Sequence, residues 1–394
     1  MTQLETLIQT LCPNGVKRYK LKEIAGLKRG VVISKDYINE HAGEYPVYSS
    51  QTENNGCLGY IDTYAYDGTY LTWTTDGANA GTIFYREGKF NITNVCGLVI
   101  ITNPQISVKY LYYILSITAP KYVNRGMGNP KLMSNVMQEL QIPLPPLAVQ
   151  SEIVRVLDKF TLHKAELAAE LAARLRQYEY YRDKLLTFDD TVKRVKLGEV
   201  GEFIRGNGLQ KKDFVEEGFP CIHYGQIHTY YGTFTTKTKS FVADPLYSKL
   251  KKAHTGDLII ATTSEDAEGV CKAVAWLGKE DVAVSGDAYI FRHSQNPKYV
   301  AYLFQTEQFL KYKKRAATGT KVIRVSGESM ANFEFPLPPL SVQERIVSIL
   351  DRFDKLCHDI REGLPAEIEL RQKQYEHYRD KLLTFTDIIG YKNL

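Results

Sequence analysis

The sequence predicts an α+β protein: two homologous α+β domains separated by two long helices paired antiparallel, related by an internal pseudo-two-fold repeat. Three observations lead there. Much of the chain is duplicated, the nearly invariant part of the duplication carries an apolar stripe of helical period, and the remainder mixes short β-type runs with turn signals. At 394 residues the chain exceeds one typical domain and suits two.

The duplication is direct. Pro143-to-Phe160 reads PLPPLAVQSEIVRVLDKF and Pro336-to-Phe353 reads PLPPLSVQERIVSILDRF, identical at 12 of 18 positions with an offset of 336 − 143 = 193. Gln177-to-Phe188 returns as Gln374-to-Phe385, identical at 11 of 12 positions with an offset of 197, so the second copy holds four extra residues between the blocks. Upstream, VKRYKLKEI from Val16 is echoed by VKRVKLGEV from Val192. This predicts a first variable domain at 1–142, a conserved long-helix region at 143–190, a second variable domain at 191–335 and a second conserved long-helix region at 336–394.

The conserved segments read as helices. The Leu-Pro-Pro-Leu lead-in bars helix before it. After it, Ile153, Leu157, Phe160, Leu167, Leu171, Leu175, Tyr178 and Leu185 step by 4, 3, 7, 4, 4, 3 and 7 residues, an a/d-type stripe. Ile346, Leu350, Phe353, Cys357, Ile360 and Leu364 repeat it in the second copy. The first helix, from Ala148 to about Phe188, would be ~60 Å long. The second is expected to break at Gly363-Leu364-Pro365, with Gly ending one helix and Pro opening the next. So narrow a stripe needs a partner helix, and the economical partner for each is the other.

In the variable regions, Tyr70-Leu-Thr-Trp, Cys96-Gly-Leu-Val-Ile-Ile, Asp257-Leu-Ile-Ile-Ala-Thr and Val282-Ala-Val-Ser read as strands. Each region ends in an amphipathic helix, Val108-Lys-Tyr-Leu-Tyr-Tyr-Ile-Leu in one and Pro297-Lys-Tyr-Val-Ala-Tyr-Leu-Phe in the other. One frame with divergent loops suits a scaffold that presents two specificities.

Composition narrows the function classes. Hydrophobic residues at 44% and charged residues at 24% fit a globular chain, and a net charge of +5 permits a nucleic-acid partner without arguing for one. The 27 tyrosines suit core packing or a polar interface. The six cysteines are scattered, with no ligand spacing, so no metal and no cofactor are expected. No basic segment followed by an apolar run opens the chain, and no stretch approaches the ~20 apolar residues of a membrane helix, so a cytoplasmic protein with no membrane partner is expected.

The order of variable region, Leu-Pro-Pro-Leu, Gln, long apolar helix and Tyr-x-x-Tyr-Arg-Asp-Lys-Leu-Leu, twice over, resembles the specificity subunits of type I restriction–modification systems across about residues 16–385. The resemblance implies a non-catalytic subunit whose two target recognition domains each read half of a split site in double-stranded DNA. It also implies that the helices bind two adenine-N6 methyltransferase subunits, with ATP-driven restriction/translocase subunits added to that core. Where members of the family often carry Glu-Gln after the Leu-Pro-Pro-Leu, this chain has Val149-Gln150 and Val342-Gln343.

Base readout needs side chains that match base edges on reachable loops. Thr74, Thr75, Asp76, Gly77 and Asn79 in the first domain align with Thr262, Thr263, Ser264 and Glu265 in the second, both sets following a strand. Ahead of each Leu-Pro-Pro-Leu lie Arg125-to-Lys131 and Thr318-to-Arg324, where Arg125, Lys131, Lys321 and Arg324 suit phosphate. A third pair is the run Tyr48-Ser-Ser-Gln-Thr-Glu-Asn-Asn and His223-Tyr-Gly-Gln-Ile-His. Ordinary solvated loops and turns are the competing reading for all three. Tyr178, Tyr181, Arg182, Tyr375, Tyr378 and Arg379 keep exposed chemistry as well as an apolar face, as expected of contacts to two identical partner subunits. Two rivals remain. Asp244-Pro-Leu-Tyr247 lacks the second proline of an adenine-methyltransferase motif and reads as a turn, with no phosphate-binding loop to support an ATPase. A coiled-coil scaffold carrying protein-binding domains is the non-enzymatic alternative.

Overall fold

The computed structural model describes residues 3–126, 128–359 and 363–385. Its principal helices are α1 (Val108–Thr118), α2 (Leu147–Leu185), α3 (Pro297–Leu303), α4 (Glu307–Ala316), α5 (Leu340–His358) and α6 (Leu364–Thr384). The chain forms two compact units, Met1–Glu166 with Glu369–Leu394, and Leu167–Ile368.

Unit 1 is built on a six-stranded sheet in the order Ala25–Arg29, Cys96–Ile101, Tyr66–Thr74, Ile83–Ile92, Ala42–Tyr48, Cys57–Ile61. Unit 2 repeats the first four positions as Gly201–Arg205, Ala288–His293, Leu258–Ala261 and Ala273–Trp276 in its five-stranded sheet. Register is kept as well as order: Leu71 faces Val99 in one unit, and its repeat equivalent Leu258 faces Phe291 in the other. All four runs read as strands from the sequence lie in these sheets or, for Val282–Val284, in a second four-stranded sheet. One-residue slips would turn Leu71 and Trp73 out of the core, so the shared register reflects a shared apolar pattern.

Each variable region closes on itself just before its prolines. Arg18–Lys20 pairs with Gln141–Pro143, and Arg194–Lys196 pairs with Glu334–Pro336, in the same antiparallel register. That explains why the VKR echo recurs although each copy, from Val16 and from Val192, lies far ahead of the proline lead-in it pairs beside, at Pro143 and Pro336. Tyrosines of the late helices fasten this clasp. The hydroxyls of fully buried Tyr110 and Tyr299 donate to the carbonyls of Pro143 and Pro336 at 2.9 Å, and those of Tyr113 and Tyr302 to Asp158 and Asp351 at 2.6 and 2.8 Å. A buried phenol needs such a partner, so these four of the 27 tyrosines serve the frame.

The long helices pair within each unit. In unit 1 Phe160 stacks on Tyr378, with ring centroids 5.4 Å apart, and the Lys164 amine lies 5.8 Å from the Tyr375 ring. In unit 2 Tyr181 stacks on Phe353 at 5.8 Å and Tyr178 meets His358 edge-on at 5.5 Å. Partner numbers fall as helix numbers rise, so both pairings are antiparallel. Phe160 and Phe353 are repeat equivalents, as are Tyr181 and Tyr378. Each unit therefore joins the front of one conserved segment to the back of the other.

Two details differ from expectation. The break in the second segment comes early: α5 stops at His358, and Gly363 stands before α6 instead of ending α5. Its amide donates to the Asp359 carbonyl, and a Cβ there would sit 2.6 Å from the Lys355 carbonyl oxygen, so close backbone approach requires glycine. Ile360 of the expected stripe lies outside the described residues. Asp244–Tyr247 is one turn of helix, with the Tyr247 ring on Phe219 and its hydroxyl on the Asp281 carbonyl.

Unit 2 also carries a half-buried imidazole, that of His293, with its Nε2 enclosed. Burial lowers His293 to about 4 against the pull of Asp257, while Gln295 N–H donates to its Nδ1 at 3.1 Å. The unfolded chain binds that proton near pH 6.5 and the folded unit does not, so stability falls as pH drops from 7 toward 4, by about 2–3 kcal/mol. Thermal unfolding across this range should show a shallower loss for His293→Phe than for the native chain. Parallel slopes would assign the sensitivity elsewhere.

Candidate nucleic-acid interface

Three segments that the sequence could only nominate separately are brought together in each unit. In unit 1 the Tyr66–Thr74 strand runs into the loop Thr75–Asn79. Leu132 N–H donates to the Thr75 carbonyl and Gly77 N–H to the Pro130 carbonyl, seating the Arg125–Lys131 loop against it. The Asn79 amide donates to Thr52 Oγ1 at 2.9 Å, which adds the Tyr48–Asn55 run. In unit 2 the same join recurs: Val325 N–H donates to the Thr262 carbonyl, and Thr263–Ser264 pairs with Ile323–Arg324. His228 Nε2 meets the Thr263 carbonyl at 2.9 Å, bringing in the His223–His228 segment, whose Tyr224–Thr229 forms a short helix.

The candidate side chains separate by placement. Thr74, Thr75, Thr262 and Thr263 are buried. Thr74 and Thr75 donate to the Asn79 and Val95 carbonyls and Thr262 to the Asp287 carbonyl, so these three hydroxyls shape the loops. Asp76 lies 3.7 Å from both Arg29 and Lys131, which offset its charge inside the protein. Gly77 takes φ 98°, a left-handed turn that suits glycine. Asn79, Arg125, Lys131, Glu265, Lys321 and Arg324 are exposed and Ser264 is half-buried. Arg125, Lys321 and Arg324 have no ion pair among the described residues. Met127, inside the second loop, lies outside the described residues. Asn54 and Asn55 project from left-handed backbone at φ 48° and 54°, which asparagine tolerates better than most residues.

In unit 2 the three segments line a cleft of about 720 Å³. Its wall includes Lys211, Lys272 and Asp287, which the sequence reading did not single out, together with Ser264, Glu265 and Arg324. Nothing local marks Lys272 or Lys211 in the sequence, because only the folded sheet places them at the cleft. Lys313 of α4 was also missed. It is 5% exposed, and its amine donates to the Glu268 and Val270 carbonyls at 2.6 and 2.7 Å. Burial lowers its pKa against the pull of Cys271, Asp266 and Glu268.

On the conserved helices, Tyr178 is 3% exposed, with its hydroxyl 2.9 Å from Gln305 Oε1, and belongs to the core of unit 2. Tyr375 packs against the core of unit 1. Tyr181 and Tyr378 are exposed. Arg182 and Arg379 are half-buried beside Asp183 and Asp380. Gln150 and Gln343, both fully buried, were signalled by their identity in the repeats but given no role. Their Oε1 atoms accept the amides of Ser107 and Asn296, the N-cap residues of α1 and α3, at 2.9 and 3.0 Å. Their amide groups donate to the carbonyls of Pro145 and Pro338.

The family model for the type I restriction modification DNA specificity domain matches residues 13–177 and 189–370. A Mycoplasma pneumoniae protein named as a type I specificity subunit is 31% identical over 377 residues, 94% of this chain and 98% of its own. The specificity subunit of the Escherichia coli EcoR124I/EcoR124II type I restriction enzyme is 36% identical over 293 residues, 71% of each chain. Among solved structures, the type I restriction–modification S subunit from M. genitalium is 16% identical with a TM-score of 0.55, covering 94% of this chain and 97% of that one. The likeness of that pair is one of fold. Among the described residues, no helix is long and apolar enough to cross a membrane.

Proposed function

The chain belongs to the type I restriction–modification DNA specificity family, and from that premise we propose that its two variable regions, 1–142 and 191–335, each read one half of a bipartite, asymmetric site in double-stranded DNA. The observation that carries this reading is the convergence of the same three divergent segments on one surface in both units. A kept frame with altered loops is what two half-sites of different sequence require. Exposed Arg125, Lys131, Lys321 and Arg324 neutralise phosphates and set position, while Asn79, Ser264 and Glu265 face base edges.

The chain supplies no catalytic group in this reading. It directs adenine-N6 methyltransferase and ATP-dependent restriction/translocase subunits to the site. Tyr181 and Tyr378, repeat equivalents that are both exposed, suit contacts to two copies of one methyltransferase partner, with Arg182 and Arg379 beside them. Tyr178 and Tyr375 hold the helices that present them.

Replacing residues 16–142 with the corresponding region of a relative tests the proposal. Mapping of N6-methyladenine in cells expressing the chimera with its methyltransferase subunit should show one half-site changed and the other kept. A change in both halves would mean that the two regions do not read DNA independently.

A further inference from the structure

The cleft of unit 2 has a chemical bias that its counterpart position in unit 1 lacks. Lys272 lines it, with its side chain partly buried and its amine 3.3 Å from the His228 carbonyl. One of three ammonium hydrogens is used there, leaving two for a ligand. Nearby on the same wall is Thr263, 5% exposed, whose hydroxyl has no hydrogen-bond partner among the described residues. Burial lowers the Lys272 pKa, as expected of a cation withdrawn from water without a carboxylate on it. Glu265 stands exposed in the cleft lining.

The repeat identifies the matching position in unit 1. Lys272 and Thr82 accept from the amides of Ala261 and Thr74 at 3.0 Å, and the residues before them, Cys271 and Gly81, both take positive φ (62° and 83°). Thr82 therefore stands where Lys272 does, on the same turn. Its hydroxyl is spent on the Asn79 carbonyl at 2.8 Å. One backbone frame thus offers a long cationic donor in one unit and a short, engaged hydroxyl in the other.

We propose that Lys272 is a specificity-determining residue of the second domain, reading a guanine through its amine, with the Thr263 hydroxyl beside it and no equivalent in the first domain. This rests on the DNA-recognition reading above. Guanine is the base that fits, because its major-groove edge presents two adjacent acceptors, N7 and O6, to an amine that can only donate. Adenine places a donor beside its acceptor, cytosine presents a donor, and thymine sets a methyl group beside its one acceptor. Glu265, which only accepts, suits the amino group of a cytosine at the same cleft.

The test uses the full chain expressed with its methyltransferase subunit, with N6-methyladenine mapped across host DNA. Exchange of residues 191–335 first identifies the half-site that the second domain reads, and that half is expected to require a G·C pair. Lys272→Thr installs the residue that the first unit holds on the same turn. It should relax the requirement at one G·C pair by roughly tenfold or more, leaving the other half-site and the spacer unchanged. Lys272→Arg, which keeps a donating cation, should retain the guanine. Loss of methylation in Lys272→Thr with the full motif kept in Lys272→Arg would support the same assignment. An unchanged motif in Lys272→Thr, a half-site without a G·C pair, or loss of methylation in both variants would overturn it. Native chain that directs no bipartite methylation at all would overturn the recognition reading itself, which separates the two failures.

Discussion

Replacing Gln150 by Met should cost unit 1 about 2–4 kcal/mol, a large share of the 5–15 kcal/mol that holds an ordinary domain folded. Methionine keeps the length and apolar stem of glutamine but can neither donate nor accept usefully. Three groups then lose their partner: the carbonyl of buried Pro145, the amide of half-buried Ser107 and the carbonyl of exposed Gln105, which can turn to water. Leaving a buried polar group bare costs about 1–3 kcal/mol, more than the net gain from making the bond. The Pro145 carbonyl has few substitutes, because Val149 and Gln150 amides already use Pro146. Gln343→Met should act the same way in unit 2, baring the Asn296 amide and the Pro338 carbonyl. Amide exchange reads the effect locally: Ser107 should lose protection in Gln150→Met and Asn296 in Gln343→Met. Thermal unfolding within 1 kcal/mol of the native chain would refute the clamp.

This clamp shows where the sequence was legible and where it stopped. Repeat identity marked Gln150 and Gln343 as kept, and the proline lead-in marked the helix start after it. The role was hidden because the partners, Ser107 and Asn296, lie over forty residues earlier and differ from each other. Both are good N-caps, so each unit solves one local problem with its own residue. The strands and late helices were readable because their apolar periods survive in both copies. The break was readable at its far side, where α6 opens at Leu364-Pro365, and hidden at its near side, where α5 stops at His358 and Gly363 answers a close approach to the Lys355 carbonyl that no local pattern announces.

The candidate surface proposed for recognition was legible as segments and not as side chains. Alignment of the repeats picked out all three pairs of loops, since divergence between fixed blocks is itself a signal. It could not say which residues face outward. Thr74, Thr75, Thr262 and Thr263 look polar and available in the sequence, yet the strands carry them into the interior before the loop opens. Asp76 looks like a lone acid until Arg29, nearly fifty residues away, folds beside it. Lys272 and Lys313 carry no motif, because their significance comes from where their amines end up.

Lys313→Met should leave unit 2 folded but unfasten the loop between Ser264 and Gly269, at a cost of about 2–3 kcal/mol. The α4 helix is strongly amphipathic in its residues, with Phe309 and Lys313 its buried positions four apart on one face. Lysine stands there because a buried ammonium can satisfy two carbonyls at once, those of Glu268 and Val270, where an apolar residue satisfies none. Methionine fills the same volume, so the apolar packing around Phe309 and Phe304 survives and the loss falls on the loop. The Glu268 carbonyl, on an exposed residue, can turn to water; the Val270 carbonyl, on a buried one, cannot do so without moving the chain. That movement would carry Glu265 and Ser264 away from the cleft wall. The expected result is a complex that assembles with its methyltransferase subunit and still engages the half-site read by the first domain, while affinity for the complete site falls by roughly 30-fold or more. Amide exchange should rise across residues 264–270 with little change in the sheet. Native affinity and an undisturbed loop in Lys313→Met would show that the two hydrogen bonds do not position the recognition surface.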